Sequence, residues 1–151
     1  MTSSRENEQS SGKKRLSVFV DANTIVSGLV FEGNEALLLK LGAIGACRLV
    51  ATRHVIDEVV AVLRSKEFRL NQDEISSLLS IVYGSITVHE DLKLHEMLKY
   101  FPKLNDKKDV HVLAAFEKLK ADILVTGDKE LLRRVPRAKT SRQTLEMILG
   151  G

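Results

Sequence analysis

With 151 residues, 44% of them hydrophobic, the chain is sized for one domain built on a single core. Its apolar runs are too short for a membrane span, its N-terminus has no apolar signal stretch, and its one cysteine, Cys47, excludes an internal disulfide. That profile points to a cytoplasmic protein, while a net charge of +3 leaves the class of partner open.

Residues 1–14 are polar, rich in Ser, Glu and Asn and without periodicity, which predicts a disordered tail ahead of a single domain over 15–151. Residues 16–20 are apolar on both faces, the pattern of a buried parallel strand. A helix over 22–30 follows, Gly33 breaks it, and Asn34 is placed to cap a second helix over 35–44. After Gly45 comes a short strand over 48–51, and Thr52 is the expected N-cap of a helix reaching about residue 64. The apolar stripe of that helix is Val55, Ile56, Val59, Val60 and Leu63. A helix over 72–82 gathers Ile75, Leu78, Leu79 and Val82 on one face, and Gly84 is expected to turn into a strand over 85–88. Residues 92–99 are weakly helical and stop before Pro102, leaving 100–107 irregular. A helix over 108–120, a strand over 123–125 and a short helix over 129–133 come next. Lys139-Thr140 extends a last strand, and Thr140 with Gln143 forms a capping box for a closing helix that ends at Leu149. Strands separated by helices imply an α/β three-layer sandwich, its central, mostly parallel sheet covered by helices on both faces.

Four acids stand where the chain changes element. Asp21 follows Val18-Phe19-Val20, and Asp128 follows Ile123-Leu124-Val125-Thr126-Gly127. Glu58 sits early in one helix and Asp109 begins another. Open α/β sheets bind ligands outside the carboxyl ends of their parallel strands. Carboxylates gathered there repel one another unless they share protons or a cation fills the cluster, and the cation is the preferred reading. Each acid also has an ordinary role. Asp21 and Asp128 are at N-cap positions, the macrodipole favours Asp109, and Glu58 fits a solvent-facing site.

Helical projection at about 100° per residue separates neighbouring acids. Asp109 falls near the middle of the face carried by Val112, Leu113, Phe116 and Leu119. Glu58 lies at the edge of its apolar stripe, whereas Asp57 falls opposite it. Asp106 competes with Asp109 only from the preceding loop.

Four segments in this order resemble the PIN-domain nucleases. They are Val18-Phe19-Val20-Asp21-Ala22-Asn23-Thr24, His54-Val55-Ile56-Asp57-Glu58-Val59, Asp106-Lys107-Lys108-Asp109-Val110-His111-Val112-Leu113-Ala114-Ala115, and Leu124-Val125-Thr126-Gly127-Asp128-Lys129-Glu130-Leu131-Leu132. The resemblance runs over 15–149 and implies that Asp21, Glu58, Asp109 and Asp128 form an acidic quartet for Mg²⁺ or Mn²⁺. Asn23 and Thr126 match accompanying polar positions, and the Asp-x-x-Asp spacing leaves Asp106 a supporting role. The chain is most similar to the compact prokaryotic members, which include VapC-like toxins of type II toxin–antitoxin pairs and RNA-processing enzymes. The resemblance therefore implies a metal-dependent endoribonuclease that leaves a 5′-phosphate and a 3′-hydroxyl, with RNA as substrate and, if it is a toxin rather than a processing enzyme, an antitoxin as partner.

The C-terminal stretch carries Lys129, Arg133, Arg134, Arg137, Lys139 and Arg142, with Glu130 among them. Lys129, Arg133, Arg134 and Arg137 are candidates to hold RNA backbone phosphates without reading sequence. A catalytically silent RNA- or protein-binding module is the alternative from another class, although a binder of polyanions gains nothing from four acids. A haloacid-dehalogenase-like phosphatase would use Asp21 as nucleophile, but its second Asp is replaced by Asn23, and Leu131 and Leu132 stand where a further acid is usual. His54, His89, His95 and His111 lack zinc-ligand spacing and read as structural or surface residues. Ile75, Leu79, Leu92, Leu94, Met97, Leu98 and Phe101 supply more apolar surface than two peripheral helices need, which predicts a two-fold homodimer.

Overall fold

Five parallel strands form one sheet in the order β3-β2-β1-β4-β5 in a computed structural model that describes residues 15–103 and 107–150. The tail expected over 1–14 and the supporting residue Asp106 lie outside the described residues. The strands are β1 (Ser17–Val20), β2 (Arg48–Thr52), β3 (Ile86–His89), β4 (Ile123–Val125) and β5 (Ala138–Lys139). β1 is central, with Phe19 beside Val50 on one side and Leu124 on the other. Val18, Phe19 and Val20 are fully buried, as their continuous apolar run requires of a strand covered on both faces.

The helices are α1 (Ala22–Val30), α2 (Asn34–Ala43), α3 (Arg53–Leu63), α4 (Gln72–Ser85), α5 (Leu94–Met97), a 3-10 helix (Leu98–Lys103), α6 (Lys107–Lys118), α7 (Lys129–Arg134) and α8 (Ser141–Gly150). Helices α1 to α4 pack on one another and α8 joins them against α2, while α5, the 3-10 helix and α6 pack together. Right-handed crossovers place these two groups on opposite faces, because the chain steps from β1 toward β3 and then returns past β1 to β4. The three-layer α/β architecture follows. Two glycines permit its close approaches. A Cβ on Gly28 would stand 2.8 Å from the Glu35 carbonyl oxygen, and one on Gly42 would stand 2.8 Å from that of Ser85.

Several boundaries differ from those the sequence predicts. Gly33, at φ 144°, occupies the N-cap of α2, and Asn34 is already helical. Thr52 holds the N-cap position of α3 without a side-chain bond. The His54 N–H there is instead bound by Asp91 Oδ1 at 2.7 Å, a cap brought in by tertiary structure. α4 runs through Gly84 to Ser85, whose hydroxyl donates to the Ile81 carbonyl at 2.7 Å, and Asn71 with Glu74 supplies a capping box at its start. Beyond Met97 the chain tightens into the 3-10 form, a common connector, and continues through Pro102. α6 stops at Lys118, and Lys120 takes φ 55° in the turn toward β4.

Candidate functional site

β1 and β4 are neighbours whose connections leave in opposite directions, so the crevice beyond their carboxyl ends is the switch point of the sheet. Asp21 and Thr126 are the first residues past those two strands. Thr126 Oγ1 donates to Asp21 Oδ2 at 2.5 Å and accepts the Asp128 N–H at 3.0 Å. Asp21 Oδ1 accepts the Thr24 N–H at 2.9 Å, and Asp128 Oδ1 accepts the Leu131 N–H at 2.9 Å. Both aspartates are therefore helix N-caps, but capping does not exhaust them. An ionised carboxylate offers about four lone-pair sites, and each of these bonds takes one. Asp21 and Thr126 are buried, and Asp128 is exposed.

The other two acids arrive on helices from opposite layers, Asp109 in a first turn and Glu58 in a second. α3 starts directly after β2, and α6 leads back to β4, so the first turns of both reach this end of the sheet. The His54 and His111 rings stack there, with centroids 3.9 Å apart and planes inclined by 11°. Glu58, one turn beyond His54, has Oε1 3.8 Å from His54 Nε2 and Oε2 3.8 Å from Lys108 Nζ. Asp109, next to Lys108, is buried, while Glu58 is partly buried and Asp57 is exposed. Burial and then the neighbouring His54 ring push the His111 pKa down, and the negative charges of Asp91 and Glu58 pull it back up.

The quartet is thus arranged as two couples. A shared hydroxyl ties Asp21 to Asp128, and side-chain contacts tie the helix of Glu58 to that of Asp109. Among the described residues, no three His, Cys, Asp or Glu side chains gather closely enough to hold one ion. The donor chemistry does fit a hard divalent cation, because all four candidates offer carboxylate oxygens. The stacked imidazoles do not form a rival site, since they turn faces rather than nitrogen lone pairs toward each other.

Asn23 is exposed in the first turn of α1. Lys129 opens α7 beside Asp128 and is exposed, as is Arg133, while Arg134 pairs with Glu130 at 3.5 Å. Arg137 serves packing. Its Nη1 donates to the Ala121 carbonyl at 3.0 Å, and its guanidinium lies 4.7 Å from the Phe116 ring centroid. Ala121 precedes β4, so this side chain sits at the amino end of the sheet, away from the acids. The sequence reading did not assign Lys108, Asp91 or His111 to the site, and it took His54, one turn before Glu58, as structural. The four-residue step from His54 to Glu58 carried a usable signal, since it places both on one helix face. Cys47 remains inert, its thiol pushed up to about 11 by burial. Clefts of about 440 Å³ beside α5 and α6 and about 470 Å³ beside α8 are lined by none of the four acids.

No curated protein is close enough in sequence to count as a match. Among solved structures, PAE2754 from Pyrobaculum aerophilum is similar at a TM-score of 0.67 with 24% identity, over 90% of this chain and 97% of that one. A chain of VapBC2 from Rickettsia felis, solved bound to a DNA fragment from its promoter, is similar at 0.61 with 15% identity, over 83% and 98%. At these identities the structural likeness speaks for the fold. The family model for the PIN domain matches residues 17–130, which take in both strand-end aspartates and both acid-bearing helices. With its parallel sheet and its acids at the strand ends, this chain belongs to the PIN domain family.

Proposed function

We propose that this chain is a Mg²⁺- or Mn²⁺-dependent endoribonuclease that hydrolyses RNA phosphodiesters, with Asp21, Glu58, Asp109 and Asp128 holding the metal. PIN domains are generally nucleases. The observation that supports the finer reading is that two acids follow strand ends and two stand on helices that begin at the same end of the sheet, with Asp21 and Asp109 buried. A divalent ion bound there would neutralise the acids, polarise a phosphoryl oxygen and lower the pKa of a bound water. The chain's own residues do the positioning. Thr126 fixes the orientation of the Asp21 carboxylate, and Asn23 and Asp106 support the quartet. Lys129 and Arg133 hold backbone phosphates, and Arg134 and Arg137 contribute more to the fold than to RNA.

In this reading the protein is the toxin of a type II pair and is neutralised by an antitoxin protein, which the likeness to a VapBC2 chain supports. It acts as a homodimer in the cytoplasm. Leu94 and Leu98 are exposed at 65% and 56%, whereas Ile75 and Met97 are buried, so the apolar surface available for pairing is narrower than the sequence implied. No described helix is long and apolar enough to cross a membrane.

The purified protein should cleave single-stranded RNA with Mg²⁺ or Mn²⁺ and lose that activity in EDTA. Asp21→Asn should abolish cleavage while leaving circular dichroism unchanged. Glu58→Gln should cost far more activity than Asp57→Asn. Undiminished cleavage by Asp21→Asn in EDTA would overturn the reading.

A further inference from the structure

Glu58 has a nitrogen opposite each of its oxygens. Lys108 Nζ stands 3.8 Å from Oε2, and His54 Nε2 stands 3.8 Å from Oε1. His54 Nε2 is buried and has no hydrogen-bond partner among the described residues. Lys108 is the lysine that faces Glu58, and its side chain is 75% exposed while that of Glu58 is 21% exposed. A side chain this exposed can move off the carboxylate without disturbing the core, because the pair at 3.8 Å is loose.

We infer that Lys108 is an internal counter-ion of Glu58, competing with the divalent cation for that carboxylate and leaving it when the ion binds. The inference rests on the metal-dependent reading above. Its physical content is an exchange of one cation for another on the same carboxylate, with the displaced ammonium left near it. Two consequences follow. Apparent metal affinity is set partly by a side chain that is not a ligand, and the competition disappears when Glu58 carries no charge.

The test is a Mn²⁺ titration of the full chain, with free Mn²⁺ followed by electron paramagnetic resonance at low ionic strength. Lys108→Met should tighten Mn²⁺ binding about threefold, the scale of a partly exposed ion pair, and Lys108→Arg should restore the wild-type affinity. In a Glu58→Gln background the Lys108→Met change should have no effect. An unchanged Kd for Lys108→Met overturns the inference. So does a tightening that persists in Glu58→Gln, which would mark a general field effect. A wild-type chain that binds no Mn²⁺ at all overturns the metal-dependent reading itself, so the two failures are distinguishable.

Discussion

Replacing Thr126 by Val removes one oxygen from a side chain that is 1% exposed and keeps its shape. The lost hydroxyl donates to Asp21 Oδ2 at 2.5 Å and accepts the Asp128 N–H at 3.0 Å. A hydrogen bond to a charged group is worth about 1.5–3 kcal/mol and a neutral one about 1 kcal/mol. The Asp128 bond is only part-buried, and water replaces some of it. The expected loss is about 2–4 kcal/mol, mostly from a carboxylate left short of a partner. Thr126→Ser keeps both bonds and removes a methyl, for about 1 kcal/mol. Urea unfolding in EDTA should therefore rank wild type above Thr126→Ser and Thr126→Val last, with Tm falling by roughly 2–4 °C per kcal/mol in a domain of this size. A Thr126→Val variant as stable as Thr126→Ser would refute the claim that this hydroxyl restrains Asp21.

Further outcomes follow from the geometry. Gly28→Ala and Gly42→Ala should each destabilise by about 1–3 kcal/mol in urea, since the new methyl meets backbone oxygens at 2.8 Å. Gly84→Ala, which meets nothing within 4 Å inside α4, should stabilise by up to about 1 kcal/mol. Arg137→Ala should cost about 1–2 kcal/mol through its lost contacts with Phe116 and the Ala121 carbonyl, and should leave the salt dependence of RNA binding unchanged in a filter-binding assay. The His111 pKa is lowered in the fold, so the unfolded chain binds more protons than the native one between the depressed value and the ordinary 6.5. Stability should be whole above pH 6.5 and decline as pH falls through the folded pKa. His111→Asn should flatten that slope in thermal melts at a series of pH values.

Periodicity made the layers legible. The run Val18-Phe19-Val20 specified a strand covered on both faces, and helix projection separated exposed Asp57 from partly buried Glu58 and placed Asp109 on the buried face of α6. Capping was legible where donor and acceptor are close in sequence, as at Thr140 with Gln143. It was not where the cap comes from elsewhere. Asp91 reaches His54 across 37 residues, and no local pattern announces it. The same limit hid the His54–His111 stack and the Lys108–Glu58 pair, which exist only because two layers meet over the strand ends. Charge counting also ran together residues that topology separates. Lys129 and Arg137 belong to one basic stretch, yet they stand at opposite ends of β4 and its neighbour.

The two couples of acids differ in what it takes to move them. Asp21 is held by one backbone N–H and one buried hydroxyl, and Asp128 by a backbone N–H, so turning either side chain breaks bonds at the cap of a helix. Glu58 is held by two contacts at 3.8 Å, beyond hydrogen-bonding distance, on a long side chain with three rotatable bonds. Releasing Asp21 costs several times what releasing Glu58 does, given about 1.5–3 kcal/mol for a bond to a charged group and about 1 kcal/mol or less for a loose, partly exposed pair. If one ion is to be shared by the quartet, the adjustment falls on Glu58. The strand-end aspartates set the position of the ion, and the helix-borne glutamate comes to it. Mutations that loosen α3, such as Asp91→Ala at its remote cap, therefore act on metal binding through Glu58 and leave the Asp21–Thr126–Asp128 frame in place.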